Sequence, residues 1–292
     1  MKTINSNLWQ IKGSEVGPHI MVLGGVHGNE KTGVAVIKKL YDLFSEGQEK
    51  VVRGTLTFGL GNEEAIADNV RGVNGRNLNR LFTKQHLSGL PENFYESQRA
   101  HVLAPLLASA DILLDLHATF YKSEPFLACA NSSEHGKIFR WFEANTVLTD
   151  PNFVIGEERA TTDEYVDECG GVGICFEAGW MEDVTLVDST LKSVLSILRD
   201  QNILVTKNNN PPPQHDYRIF ELVSKVNLTK AGFNYVDGIG MESFFPVHGG
   251  QVIGYVGGQK VVVPGDGVLV FQRTEDQWQV GEPIFFFAKK MK

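Results

Sequence analysis

The strongest constraint on the fold is a pattern that recurs at residues 19–24, 111–117 and 173–177. Each is a short run that is apolar almost throughout, with a chemically capable residue at its end or on the turn just after it. Strands that fail to alternate are covered on both faces, and helix-like segments separate these runs. That order implies an α/β fold with a largely parallel, mixed sheet flanked by helices. In such sheets the ligand site lies beyond the carboxyl ends of the strands. The closing residues are therefore where chemistry is expected.

The first run leads into Gly24-Gly25-Val26-His27-Gly28-Asn29-Glu30. Residues 32–44 follow, with Val34, Ile37, Leu40, Tyr41 and Phe44 on one face of a helix. His27 and Glu30 thus share a tight glycine-rich turn, where an imidazole and a carboxylate three residues apart can face one point. Two readings are open: a divalent-metal site, or a helix-capping carboxylate beside a loop histidine. The second run, 111–117, ends in His117, with Asp115 two residues earlier on the same strand face. His117 is either a ligand oriented by Asp115 or a strand-end histidine bonded to a carbonyl. The third run ends in Glu177, followed by Ala178-Gly179. A carboxylate leaving an apolar strand is a salt-bridge partner or an acid/base. Three separate strand ends carrying such groups favour the functional reading of all of them.

The remaining pattern predicts strands at 7–12, 51–60 and 126–130. It predicts helices starting at Asn62 and spanning 91–110, 134–145, 160–169 and 184–199. Between them, residues 71–80 hold three arginines and three asparagines. Leu78, Leu81 and Phe82 tie the second half of that loop to a core. That would hold Asn79 and Arg80 still, and a held arginine can grip a carboxylate in bidentate fashion. Residues 207–214, polar and then three prolines, read as a linker. Beyond it, apolar runs at 244–247, 252–256, 261–263, 268–272 and 284–288 alternate with glycine turns, which reads as a small C-terminal antiparallel β domain. The expected division is 1–207 and 208–292. Gly257-Gly258-Gln259-Lys260 reads as a hairpin turn rather than a lysine attachment site.

Composition narrows the partners. The net charge of −8 argues against general affinity for nucleic acid or an anionic membrane. The N-terminus lacks a signal-peptide core, and no apolar run approaches the ~18 residues of a membrane span. Cys129, Cys169 and Cys175 show no CxxC spacing, so each is expected to be a small buried residue without a disulfide, in a cytoplasmic protein. Self-association into a homo-oligomer is left open.

GGVHGNE at 24–30, NLNRLF at 77–82, LLDLHAT at 113–119 and FEAGW at 176–180 resemble the succinylglutamate desuccinylase/aspartoacylase family, relatives of the zinc carboxypeptidases. The resemblance covers roughly the first two thirds of the chain and implies a zinc-carboxypeptidase-like fold. It implies one zinc ion per chain, bound by His27, Glu30 and His117. It implies Glu177 as general base, Asn79 and Arg80 on a substrate carboxylate, and Arg71 polarising the scissile carbonyl. The expected activity is zinc-dependent hydrolysis of a small anionic N-acyl amino acid by an activated water. Two departures stand out. Asn77 occupies a position where many relatives carry aspartate, and the spacing from Arg71 to Asn79 is one residue longer, so Arg76 competes with Arg71. The rival readings are a metallocarboxypeptidase acting on short peptides and a zinc-binding interaction module without turnover.

Overall fold

The computed structural model describes residues 1–156, 158–205 and 216–291. Its main sheet begins with β1 (Lys2–Asn5), β2 (Leu8–Lys12), β3 (Glu15–Gly24) and β4 (Arg53–Leu60). It continues with β5 (Ile112–Thr119), β6 (Phe126–Ala128), β7 (Thr146–Thr149) and β8 (Val172–Trp180). The helices are α1 (Lys31–Ser45), α2 (Glu63–Asp68), α3 (Lys84–Leu87), α4 (Tyr95–Ala108), α5 (Ser133–Phe139), α6 (Thr162–Glu168) and α7 (Leu186–Asp200). The last strands are β9 (Arg218–Asn227), β10 (Phe233–Tyr235), β11 (Phe245–Val247), β12 (Val252–Val256), β13 (Gln259–Val262), β14 (Gly267–Val270) and β15 (Pro283–Lys290). Twelve strands form one sheet in the order β1-β2-β4-β3-β5-β8-β6-β7-β9-β15-β14-β11, and β10-β12-β13 form a second. The centre, β4-β3-β5-β8, is parallel, as uniformly apolar strands require.

Alternation along the central strands divides the core. Ile20, Val22, Ile112, Leu114, Leu116, Ile174 and Phe176 face α1 and α7. Met21, Leu23 and Leu113 face α4 and Val166 of α6. Asp115, His117, Cys175 and Glu177 alternate with the first set, so they lie on the α4–α6 face. Helix α1 can press against the sheet because Gly33 has no side chain: a Cβ there would meet the Leu116 carbonyl oxygen at 2.4 Å.

Several expectations are corrected. The helix expected over 91–110 starts at Tyr95, because Phe94 is extended. The helix expected over 134–145 ends at Phe139. The chain then turns into β7, all four residues of which are buried. Neither β7 nor β9 stands out in the sequence, yet their parallel pairing carries the main sheet on into β15, β14 and β11. The linker expected at 207–214 lies outside the described residues. Gly257 and Gly258 do form the hairpin turn between β12 and β13, both with positive φ (54° and 79°), as a two-residue turn of that hand needs. Cys129 and Cys175 are buried and Cys169, against expectation, is exposed; all three are free.

Candidate active site

The turn after β3 delivers His27 and Glu30 together. Glu30 occupies the N-cap position of α1 but its side chain makes no capping bond, which removes the capping reading. Its two oxygens instead receive imidazoles from separate strand ends. His27 Nδ1 lies 2.7 Å from Oε1 and His117 Nδ1 lies 2.8 Å from Oε2, which also accepts from the Ala118 amide at 3.1 Å. All three residues are buried, with ligand-capable atoms within 4.8 Å of one another. On the far side of His117, Nε2 lies 3.0 Å from Asp115 Oδ2. The Asp115 carboxylate also takes the Thr162 hydroxyl. His27 Nε2 faces Asn77 Oδ1 at 3.1 Å, and the Asn79 amide, 2.9 Å away, holds that oxygen in place. Each imidazole is thus oriented from behind, the arrangement typical of metal-ligating histidines.

Charge follows from burial and neighbours. Burial, reinforced by Arg71, pushes His27 down to about 4 and keeps it neutral. Burial alone would raise Glu30, but His27 and His117 outweigh it and hold the carboxyl well below its ordinary value. Burial opposes a charged His117, yet Asp115 and Glu30 lift it well above the usual imidazole range. The proton so stabilised is the charge a metal ion would replace.

Glu177 stands opposite His117 across the β5–β8 ladder. It is only 8% exposed, no ion pair reaches it among the described residues, and its Oε2 lacks a hydrogen-bond partner. The salt-bridge reading therefore falls. Burial, with the Glu30 carboxylate adding, raises its carboxyl to about 7, although His117 and Arg71 pull the other way. A carboxyl poised near neutrality is suited to proton transfer. Cys175, two residues earlier, forms a second close set with His117 and Glu177. Burial raises its thiol well above the ordinary value, which disfavours the thiolate a metal would need.

The arginines separate. Arg71 donates to Glu30 Oε1 at 3.1 Å with its side chain half exposed. Arg76 stacks over the Phe94 ring, 3.9 Å from its centroid, on the rim. Asn79 is buried and its Oδ1 accepts from the Thr162 amide at 2.9 Å. Arg80 is packed against Asn79, whose carbonyl it meets at 2.5 Å, and burial with Arg71 beside it lowers its pKa to about 10. Arg71, Arg76, Asn79 and Arg80 line one cleft of about 1340 Å³ together with His27, Glu30, His117 and Glu177.

Two lining residues carry no sequence signal. Arg273, between β14 and β15, lowers Arg80 electrostatically, is itself lowered by burial and Arg71, and pairs with Glu282 at 3.4 Å. Asp163 sits in the first turn of α6, 8% exposed. The Thr161/Glu164 capping box marks the helix start, but nothing in it announces a buried acid beside it.

Comparison with known proteins places the chain in a family. The family model described as the succinylglutamate desuccinylase/aspartoacylase catalytic domain matches residues 16–199. A probable aspartoacylase of Acaryochloris marina is 25% identical over 234 residues, 72% of each chain. An N-acyl-aromatic-L-amino acid amidohydrolase (carboxylate-forming) of Xenopus tropicalis is 34% identical over 106 residues, covering 34% of this chain and 33% of that one. The fold matches a succinylglutamate desuccinylase structure from Vibrio cholerae, with a TM-score of 0.78, 18% identity, and coverage of 97% of this chain and 85% of that one. A second, from Chromobacterium violaceum, gives a TM-score of 0.75 at 18% identity, covering 99% and 90%. The chain belongs to the succinylglutamate desuccinylase/aspartoacylase family.

Proposed function

We propose that this chain is a zinc-dependent hydrolase that cleaves the amide bond of a small N-acyl amino acid bearing a carboxylate. The observation that carries the reading is the convergence of His27, Glu30 and His117 beside a buried Glu177 whose Oε2 has no partner. Two imidazoles and a carboxylate, each buried and two of them oriented from behind, fit zinc; two histidines and a glutamate are a documented catalytic set. Zinc held there would polarise the scissile carbonyl and make a water molecule acidic.

The chain's own residues do the rest. Glu177 removes a proton from the attacking water and returns it to the departing amine nitrogen. Arg71, already donating beside the metal-binding atoms, shifts to the carbonyl oxygen as negative charge grows there. Its contact with Glu30 gives it this role in preference to Arg76, which is held at the rim by Phe94. Arg80 and Asn79 hold the substrate carboxylate in a wall that packing keeps rigid. Residues 1–207 supply the donors and base, and residues 208–292 complete the cleft with Arg273. Among the described residues no helix is long and apolar enough to cross a membrane. A small polar substrate and three free cysteines fit work in the cytoplasm.

The test is a panel of N-acyl amino acids, their carboxamide analogues and short peptides, given to zinc-loaded protein and to Arg80→Ala. We expect turnover of the N-acyl amino acids, with KM raised about 10–100-fold by Arg80→Ala, the scale of a lost charged hydrogen bond. The carboxamides should not feel that change. Preferential cleavage of peptides would instead mark a carboxypeptidase, and no turnover across the panel would mark a binding module.

A further inference from the structure

The loop that carries Arg71 is anchored unevenly. Its second half is tied to the core by Leu78 and Phe82, both fully buried. Its first half has no such anchor: Asn69, Val70, Arg71, Asn74, Gly75 and Arg76 are all exposed. The Arg71 side chain is itself half exposed, and a long, half-exposed side chain keeps much of its rotamer freedom. Its aim therefore depends on where the backbone beneath it is held.

That hold comes from another element. Glu96 lies in the first turn of α4 and is only 1% exposed. Its Oε1 accepts the Val73 amide at 2.7 Å. Directly after Val73 the chain folds back on itself. Asn74 and Gly75 have positive φ (54° and 76°), and the Arg76 amide returns to the Val73 carbonyl at 3.1 Å. A Cβ on Gly72 would meet the Arg76 carbonyl oxygen at 1.5 Å, so the turn is closed tightly. One bond at Val73 thus orients the whole turn, two residues from Arg71.

The same oxygen reaches toward the metal-binding turn. It also accepts Asn62 Nδ2 at 3.3 Å. Asn62 is fully buried, caps α2 by accepting the Ala65 amide at 3.1 Å, and donates its own amide to the Gly25 carbonyl at 2.9 Å. Gly25 precedes His27 and Glu30 on their turn, and from that turn the Gly28 amide donates to the Arg71 carbonyl at 3.3 Å. Glu96 therefore joins the two segments whose relative placement brings Arg71 to Glu30. A carboxylate that only complemented the amino end of α4 could do so from the surface. This one is buried against the loop, where a charge-assisted bond is short and directional.

We propose that Glu96 is a positioning residue for the hydrolysis, fixing the 71–76 turn so that Arg71 faces the carbonyl oxygen as charge develops there. The proposal rests on the hydrolase reading above and names a residue that serves it. Glu96 does not line the cleft, so it acts through Arg71 and not on the substrate. A misplacement of about 1 Å in a catalytic group can cost on the order of 10²-fold in rate, and the effect belongs in kcat.

The experiment measures kcat, KM and zinc per folded molecule for wild type, Glu96→Ala, Glu96→Gln, Glu96→Asp and Arg71→Ala, with the best N-acyl amino acid of the panel above as substrate. Glu96→Ala should lower kcat about 10–100-fold, with zinc unchanged and KM within about three-fold. Glu96→Gln keeps an acceptor oxygen in place and should restore most of the rate. Glu96→Asp withdraws that oxygen by one methylene and should not. Arg71→Ala should itself lose about 10²–10³-fold. Adding Glu96→Ala to it should cost no more than about two-fold further, since nothing is left to position. A wild-type kcat in Glu96→Ala, or the full loss repeated on Arg71→Ala, overturns the proposal while leaving the hydrolase reading intact. If Glu96→Ala does not fold, the other two variants decide: a higher kcat in Glu96→Gln than in Glu96→Asp supports the proposal, and equal or reversed rates overturn it. No turnover by the wild type overturns both readings together.

Discussion

Strands β3, β5 and β8 and strands β9, β15 and β14 belong to one continuous sheet, yet they bury opposite chemistry. The first group and its helices enclose Glu30, Asp115, His117, Asp163 and Glu177. Beyond residue 216 the cores are built from Phe233, Phe285 and Phe287 and from Phe220, Val270 and Ala288, and Gln272 is the only buried polar side chain there among the described residues. The difference teaches where the chain tolerates cost. Burying a charge is unfavourable unless it is paired. The parallel centre accepts that burden at its carboxyl end, where reactive groups can be aimed. The antiparallel strands carry apolar weight and lend a wall, with Arg273 reaching back toward Arg71 and Arg80.

That contrast can be broken by mutation. The largest effect is expected from His117→Ala, which should lose both bound zinc and activity; full activity in a sample shown by elemental analysis to be metal-free would end the metal assignment. Next comes Glu177→Gln. It should keep its zinc and fold while losing about 10²–10⁴-fold in kcat, the scale of general acid-base catalysis. A near-wild-type rate would remove Glu177 from the chemistry.

Phe287→Ala reverses the pattern. Phe287 is fully buried in the C-terminal core. The variant should cost about 3–5 kcal/mol in denaturant unfolding, while kcat per folded molecule stays as in the wild type. A fall in kcat without a loss of stability would mean the two regions are not divided as argued.

The smallest effect concerns pH. The Asp163 carboxyl is raised from its ordinary range to about 8. The native state therefore holds a proton that the unfolded chain releases, and stability falls as pH rises from roughly 4 to 8, then levels. Asp163→Asn should lack this decline. Its melting temperature should move above that of the wild type as pH rises, by about 5 °C at pH 9. Parallel curves for the two proteins would show that the buried acid imposes no such penalty.

Much of the site was legible because its parts are local. His27 and Glu30 lie on one glycine-rich turn, Asp115 and His117 share a strand face, and Glu177 closes an apolar run. Each of those signals needs only a few residues and the period of a strand. The separation of Arg76 from Arg71 was not legible, because Phe94, which lies outside the loop, draws Arg76 to the rim. Strands β7 and β9 were missed because one is only four residues long and the other is half exposed.

By itself the sequence determined a parallel α/β centre with reactive groups at its strand ends, since uniformly apolar strands must be covered on both faces and their ends are where the backbone leaves the core. Only the tertiary structure decided that Glu30 joins both imidazoles instead of capping a helix, that Glu177 has no ion-pair partner among the described residues, and that Asp163 and Arg273 enter the cleft. Those facts depend on distances between segments far apart in the chain, and on the burial that raises or lowers each proton affinity, which no local pattern encodes.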